Sequence, residues 1–332
     1  MKSQRAKILV VGSLVMDMIT GTERFPERGA TVLGSTFSTA PGGKGANQAV
    51  QAAKLGADVT MVGKVGRDAF GDTLLAAMER EGVDTSRISR SDAPTAVGNI
   101  ILTQQDGVTL HNRIIVVPGA SMDWSAEDVA PLADIIDQYD MVMLQLEIPM
   151  AVNEQVTDYA FRKGVPVMLN PAPIADIPET LLRKLTYLSP NETEAAALLG
   201  VGLREEGAAF SAEDQAGICA AAREKGLSSL LVTLGDAGAI LVNGETAAYQ
   251  PCVKDIHMVD PTAAGDSFVA AFCTARCRGL AEAEALLFAN HTAALTVSGM
   301  GAQPSLPPLE QVLKLMNERD AGSPDMIWLL EE

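Results

Sequence analysis

The sequence predicts an α/β protein: a doubly wound, mostly parallel sheet flanked by helices, with a small antiparallel β lid. Three observations predict it. Short runs recur that are apolar on both faces, the pattern of parallel strands covered by helices on either side. Helix-like stretches alternate with them, and several stop at a glycine, the residue that best tolerates left-handed backbone after a helix. Two Thr-, Val- and Gly-containing stretches, Ile19–Ser38 and Ile88–Val117, break the alternation and carry turn signals such as Asp106-Gly107, as hairpins do.

The strands are Ile8–Val11, Val59–Val62, Met141–Leu144, Val165–Leu169, Leu185–Leu188 and Leu230–Thr233. Lys44–Leu55 is an Ala- and Gln-rich helix stopping at Gly56, and Ala69–Glu81 stops at Gly82. Asp128–Asp137 follows, then Asn153–Lys163 before Gly164, Glu192–Leu199 before Gly200, Ala212–Lys225 before Gly226, and Ser267–Cys277. Strand–helix alternation with right-handed crossovers winds such elements into one sheet. Residues 1–18, 39–86 and 118–317 are assigned to the α/β core, 19–38 and 87–117 to the lid, and 318–332 to a C-terminal extension. That extension ends in Met326, Ile327, Trp328, Leu329 and Leu330, as a docked segment or a frayed one.

The chain has 332 residues and a formal net charge of −17. Nucleic-acid binding through a generally basic surface is excluded, because phosphate neutralisation needs clustered Lys and Arg. A polybasic membrane surface is excluded for the same reason. Small phosphorylated ligands, which need only a few local donors, are not. Hydrophobic residues make up 47%, enough for a sizeable core, whereas 4% aromatics is too little for a stacking platform. Cys219, Cys252, Cys273 and Cys277 form no CxxC pair and read as reduced core thiols. Lys2, Arg5 and Lys7 before Ile8–Val11 faintly resemble a signal peptide, but Gly12 and Asp17 interrupt the apolar stretch. No apolar run approaches the roughly 20 residues of a membrane span. A buried first strand and a cytoplasmic protein are expected.

Two constellations carry chemistry. Pro41-Gly42-Gly43-Lys44-Gly45-Ala46-Asn47 opens a helix: its glycines allow close backbone approach, and Lys44 and Asn47 place polar groups on the first turn. It is not a P-loop, because Ser38 stands where the leading glycine belongs and Gly45 where Ser or Thr follows the lysine. Asp260-Pro261-Thr262-Ala263-Ala264-Gly265-Asp266 also precedes a helix. Small residues at a helix start expose several N–H groups in one concavity, an anion site reinforced by the helix dipole. Asp266 there reads as a helix cap or as the base taking a proton from an attacking hydroxyl.

These two motifs, in this order, resemble those of the ribokinase/PfkB family of ATP-dependent carbohydrate kinases. The resemblance runs from about Ile8 to Leu315. It includes Gly12-Ser13 with Asp17, Leu144-Gln145-Leu146-Glu147, Asn170-Pro171-Ala172-Pro173 and Pro190-Asn191-Glu192-Thr193-Glu194. It continues through Thr233-Leu234-Gly235-Asp236-Ala237-Gly238 and Gly301-Ala302-Gln303-Pro304-Ser305. The Gly-Gly-Lys-Gly-Ala-Asn, Asn-Pro-Ala-Pro and Gly-Ala-Gln-Pro-Ser runs look like the ribokinase branch.

The resemblance implies a ribokinase-like sugar kinase using ATP and Mg²⁺ and phosphorylating a primary hydroxyl, O5 of a pentose. Asp17, Gly43, Lys44, Asn47 and Glu147 match the sugar-binding positions. Asp266 matches the catalytic base, also facing the sugar, and Ala264 and Gly265 match the anion hole. Asn191 and Glu194 match an Asn-x-x-Glu motif that organises Mg²⁺ and phosphate through water; locally the same pair reads as a capping box. Thr233, Gly235 and Gly238 match the nucleotide loop, and Asn290 the adenine end. Asp260, Thr262, Thr296, Gly299, Gly301 and Ser305 match a monovalent-cation site, for K⁺, beside the anion hole. The family also implies a homodimer formed through the lid. A nucleoside acceptor, another sugar, or a catalytically silent sugar-binding relative are the alternatives.

Two positions depart from the pattern. Pro261 replaces a usual Thr, as in related members. Val15 stands where ribokinases carry an Asn that bonds a ribose hydroxyl. An unpaired hydroxyl there costs about 0.5–1.5 kcal/mol. Either the acceptor lacks it, 2-deoxyribose being the simplest case, or Met16 or a lid residue reorganises the pocket, or ribose binds through water.

Overall fold

The computed structural model describes residues 5–105, 108–200, 202, 210–244, 246–319 and 321. Asp106-Gly107, Lys2 and the apolar tail at Met326–Leu330 lie outside the described residues. In chain order the elements are β1 (Lys7–Val11), β2 (Val15–Thr22), β3 (Gly34–Gly42), α1 (Lys44–Lys54), β4 (Asp58–Gly66), α2 (Ala69–Arg80), β5 (Asp84–Ser91), β6 (Ala96–Gln105) and β7 (Val108–Val117). Then come α3 (Ala126–Val129), β8 (Met141–Gln145), α4 (Met150–Lys163), β9 (Val167–Asn170), α5 (Glu179–Leu182), β10 (Tyr187–Leu188), α6 (Glu192–Leu199) and α7 (Ala212–Glu224). The chain finishes with β11 (Ser229–Thr233), β12 (Ala239–Asn243), β13 (Thr246–Gln250), α8 (Ala264–Arg278), α9 (Glu282–Thr296) and α10 (Leu309–Glu318).

Among the described residues a nine-stranded sheet runs β13-β12-β11-β10-β9-β8-β1-β4-β5. It is parallel except at the β11–β12–β13 edge. Alternation along β1 shows why its run is apolar throughout. Ile8 and Val10 join one core with Ala46, Val50, Leu74, Phe268, Phe288 and Val312, while Leu9 and Val11 join the other with Val152, Val156, Leu181, Ala195 and Ile218. The first core carries α1, α2, α8, α9 and α10; the second carries α4 to α7. Strand order reverses between β1 and β8, so the crevice at their C-terminal ends is where an open α/β sheet accepts ligands.

The lid is a four-stranded sheet ordered β3-β2-β6-β7. Each hairpin is antiparallel, but β2 and β6 join them by a parallel pairing, Asp17 opposite Gly98. Two hairpin bounds are corrected. The first begins at Val15, because only Gly12, Ser13 and Leu14 separate β1 from β2. In the second, Ile88–Ser91 belongs to β5 and extends the core sheet, with Ile88 opposite Gly63. The helix expected over Asp128–Asp137 is also corrected: Pro131 cannot donate to a helical ladder, and the segment is α3 followed by 3₁₀ turns. Cys219 and Cys273 are buried thiols, whereas Cys252 and Cys277 are only partly buried. No helix among the described residues is long and apolar enough to cross a membrane.

Candidate active site

The N-terminus of α1 is the centre of the site. No local side chain caps it. Distant groups do so: Glu147 Oε2 accepts from the Lys44 N–H at 2.9 Å and from the Ser13 hydroxyl, and the Ser13 carbonyl accepts from the Ala46 N–H at 3.0 Å. A carboxylate at a helix N-terminus is stabilised by the exposed N–H groups and the dipole. Gly43, at φ 93°, turns the chain from β3 into α1, and a Cβ there would lie 2.8 Å from the Val15 nitrogen. A Cβ on Gly45 would lie 2.7 Å from the Ser13 nitrogen and 2.9 Å from the Gly12 Cα. The loop after β1 therefore lies directly on the first turn of α1.

Asp17 enters from β2. Its carboxylate fits between two glycines: a Cβ on Gly42 would lie 2.3 Å from one oxygen, and one on Gly98 2.6 Å from the other. Burial first, and the Glu147 carboxylate second, push Asp17 up to about 7. Val15 lies two residues earlier and so on the same face of β2 as Asp17.

The raised folded value makes Asp17 a pH-dependent element. Its neutral form is favoured by the fold, a contribution fully present below the unfolded carboxyl range and lost as pH rises through about 7. Asp17→Asn is therefore expected to melt higher than wild type at pH 8, with the advantage vanishing by pH 4. Its acceptor KM should be raised and nearly independent of pH, whereas the wild-type KM should rise as pH falls from 8 to 6. Differential scanning fluorimetry and initial rates check both.

Asp266 sits in the first turn of α8, 5% exposed. Both carboxylate oxygens accept from α1: Asn47 Nδ2 donates to Oδ2 at 2.9 Å, and Gln48 Nε2 donates to Oδ1 at 3.1 Å. The Asn47 Oδ1 is buried with no protein partner, so it remains for a ligand donor. Ala263, the residue before α8, takes a left-handed φ of 63°, which only glycine adopts at no cost, and turns the Asp260–Thr262 segment into the helix. Beside Asp266 a cleft of about 200 Å³ is lined by Lys44, Asn191, Glu194, Thr233, Ala264 and Gly265, among others. The N-terminal N–H groups of α8 and a lysine thus border a cavity with a carboxylate at one end.

Burial works against the Lys44 ammonium, but the Asp266, Glu147 and Glu194 carboxylates outweigh it and leave its pKa raised. Glu194 is pushed up, by burial first; the Asn191 N–H and Lys44 oppose this, and Asp266 adds to it. The capping box is present: Asn191 Oδ1 accepts from the Glu194 N–H at 2.8 Å, and Glu194 Oε2 accepts from the Asn191 N–H at 2.9 Å. Both side chains line the cleft as well, so capping and ligand contact are compatible. Among the described residues no group of three or more His, Cys, Asp or Glu side chains is placed to hold a metal. One carboxylate and one amide oxygen suit Mg²⁺ that keeps most of its waters and binds phosphate.

Gly235 opens the 3₁₀ turn after β11 and Gly238 follows it, and neither lines the cleft. Gly238, at φ 105°, is required by packing: a Cβ would lie 2.1 Å from the Gln250 carbonyl oxygen. Asn290 on α9 donates to the Gln250 and Pro251 carbonyls at 3.3 and 2.8 Å, so it anchors the strand end facing that turn. Asp260 bridges two loops, accepting from the Thr262 N–H and hydroxyl at 2.9 and 2.6 Å and from the Gly301 N–H at 2.9 Å. Gly299 packs on Ser305, whose hydroxyl donates to the Ala302 carbonyl, and the Thr296 hydroxyl donates within its own helix to Thr292. These oxygen-rich loops adjoin Pro261 and Ala263 of the cleft wall, and oxygen donors suit a hard monovalent cation.

Sequence reasoning missed Ser13 as a contact, and missed Gln48, Gln145 and Asn170 altogether as site residues. Gln48 and Gln145 look like ordinary positions of an Ala- and Gln-rich helix and an apolar strand; their partners lie 97 to 218 residues away.

Residues 5–309 match the family described as pfkB family carbohydrate kinase. The chain belongs to the pfkB family of carbohydrate kinases. It is 36% identical over 314 residues to a ribokinase of Bacillus subtilis, covering 93% of this chain and 99% of that one. It is 32% identical over 309 residues to a deoxyribokinase of Salmonella typhimurium, covering 92% and 96%. The structure of Arabidopsis thaliana ribokinase complexed with ribose and ATP superposes with a TM-score of 0.84 at 36% identity, covering 94% of this chain and 99% of that one. The doubly wound core and small second sheet are thus those of a family of ATP-dependent sugar kinases.

Proposed function

We propose that the chain transfers the γ-phosphoryl of ATP to the primary O5 hydroxyl of a pentose, ribose or 2-deoxyribose. The observation that carries this is the placement of Asp266, held on both oxygens by α1 and opening onto a cleft edged by the first N–H groups of α8. The pentose lies among Asp17, Gly43, Lys44, Asn47 and Glu147. Asp266 takes the hydroxyl proton, the hydroxyl oxygen bonds to Pγ, and the bond from Pγ to the bridging oxygen breaks with its electrons on ADP. The N–H groups at Ala264 and Gly265, with Lys44, meet the charge on the transferring phosphoryl. ATP lies along Thr233, Gly235 and Gly238 with its base toward Asn290. Glu194 and Asn191 would hold Mg²⁺ largely through water, where it would supply charge to neutralise the phosphates. The loops bridged by Asp260 would hold K⁺, whose charge would stiffen the adjoining anion hole.

Likeness to a ribokinase and a deoxyribokinase at similar identity leaves the acceptor to local chemistry, where Val15 favours 2-deoxyribose. An apolar side chain beside Asp17 offers nothing to a hydroxyl and packs well against a methylene. The test is ADP release with ATP, Mg²⁺ and K⁺ over ribose, 2-deoxyribose, fructose, adenosine and cytidine. We expect 2-deoxyribose to be turned over at least as well as ribose and both to exceed the nucleosides; replacing K⁺ by tetramethylammonium should lower the rate. Turnover of nucleosides alone would overturn the pentose reading, and ribose far ahead of 2-deoxyribose would remove Val15 as the selecting residue.

The lid supports a homodimer. Its edge strand β7 presents Ile114, Ile115, Val116 and Val117, 45 to 64% exposed, and Phe37 on β3 is 65% exposed. A second copy of the same sheet is a complementary cover for an apolar edge. Free thiols throughout the described chain accord with a reducing, cytoplasmic setting.

A further inference from the structure

A chain of buried amides runs from the end of β8 to Asp266. Gln145 Nε2 donates to Gln48 Oε1 at 2.7 Å, and Gln48 Nε2 donates both to Asp266 Oδ1 at 3.1 Å and to Asn170 Oδ1 at 3.3 Å. Asn170 Nδ2 in turn donates to the Ser189 carbonyl at 2.8 Å, which leaves its oxygen facing Gln48. Gln48 and Gln145 are fully buried, and Asn170 is 7% exposed. Three neighbours therefore dictate the orientation of the Gln48 amide. Gln145 offers a donor where the Gln48 oxygen lies, while Asn170 and Asp266 offer acceptors where its nitrogen lies. Turned over, the amide would set an oxygen against two oxygens and an NH₂ against an NH₂, leaving buried polar groups unpaired. The Gln145 side chain is itself fitted to a glycine, since a Cβ on Gly12 would fall 2.0 Å from its Oε1.

We propose that Gln48, locked in one orientation by Gln145 and Asn170, is a positioning residue that sets the plane of the Asp266 carboxylate toward the acceptor hydroxyl. The inference rests on the pentose-kinase reading above. Asn47 alone fixes one oxygen and leaves the carboxylate free to turn about that bond. Gln48, which does not itself line the cleft, fixes the other, so the carboxylate is held at both ends while Asp266 opens onto the cleft. Of the other charged groups near Asp266, Lys44 and Glu194 face it from α1 and α6, and Glu147, after β8, faces Lys44 and Asp17.

Three single variants and one double variant test this. Gln48→Met removes the donor and keeps the bulk. We expect kcat to fall about 10- to 100-fold, the loss of one hydrogen bond to a charged group, with the KM of pentose and of ATP within about threefold. Gln48→Glu is isosteric and donates only when protonated. Its kcat relative to wild type should therefore be lowest near pH 8.5 and rise several-fold toward pH 5.5, Lys44, Glu194, Glu147 and Asp17 being common to both proteins. Gln145→Met should lower kcat less, and the Gln48→Met/Gln145→Met pair should be no slower than Gln48→Met alone, because both act through one amide. A flat Gln48→Glu to wild-type ratio, kcat within threefold of wild type, or a loss confined to pentose KM would each overturn the assignment. If neither Gln48 variant folds by circular dichroism, Gln145→Met decides by the same kcat-against-KM split, unchanged kcat overturning it. Wild-type protein that phosphorylates no pentose would instead overturn the proposed function, whatever the variants do.

Discussion

Asp266→Asn is expected to lower kcat by about 10²–10⁴-fold, the range for a positioned general base, while pentose and ATP still bind. The substitution changes one oxygen to NH₂ within an otherwise equal volume. In the wild type both oxygens accept amide N–H groups, from Asn47 and Gln48. An asparagine can satisfy only one of them, so its NH₂ meets a donor, and no basic oxygen remains for the hydroxyl proton. The cleft is otherwise unaltered, since Ala264, Gly265 and Lys44 keep their places. Initial rates with fixed ATP and varied pentose, beside direct binding of each ligand, separate the two effects. Turnover like that of wild type would remove Asp266 from the role of base.

Lys44→Met is expected to cost about 10²–10³-fold in kcat and to weaken ATP binding as well, the scale of losing one preorganised charge donor. Lys44 is the cation common to Asp266, Glu147 and Glu194. Removing it leaves those carboxylates, and the incoming phosphates, facing one another in a partly desolvated cleft. Uncompensated buried charge is the costly outcome, more so than the loss of one attraction. The helix should survive, because the Lys44 backbone N–H still donates to Glu147 and Met is a good helix former. Steady-state kinetics with varied ATP, and a melting curve without ligand, distinguish lost catalysis from lost fold. An unchanged kcat would show that Lys44 serves only as a cap-adjacent surface cation.

Much of this was legible from the chain because it is written locally. Fully apolar runs such as Ile8–Val11 mark two-sided burial, and glycines such as Gly164 and Gly200, both left-handed C-caps in the structure, mark helix ends. The polar residues of the glycine-rich motifs were legible for the same reason, since exposed-looking polar groups at helix starts are unusual among small residues. What stayed hidden depends on register between distant segments. Nothing near Gln48 in sequence shows that β8 places Gln145 against it. The parallel joint between β2 and β6 was hidden too, because each hairpin viewed alone is antiparallel. The hairpin of β12 and β13 and the helix α10 lack motifs and are assigned only by their packing.

The contact between the first turn of α1 and the loop after β1 has a consequence for the protein's history. Gly12 and Gly45 touch through backbone atoms, so a side chain added to either meets main chain, which cannot swing aside. No second substitution at the partner glycine makes room, because what it contributes is main chain, and at Gly12 the Gln145 Oε1, 2.0 Å from a Cβ placed there, blocks the space as well. Drift is therefore barred at both positions singly and in combination. Lineages that change their acceptor must do so around this contact, through residues such as Val15 whose neighbours include side chains that can repack.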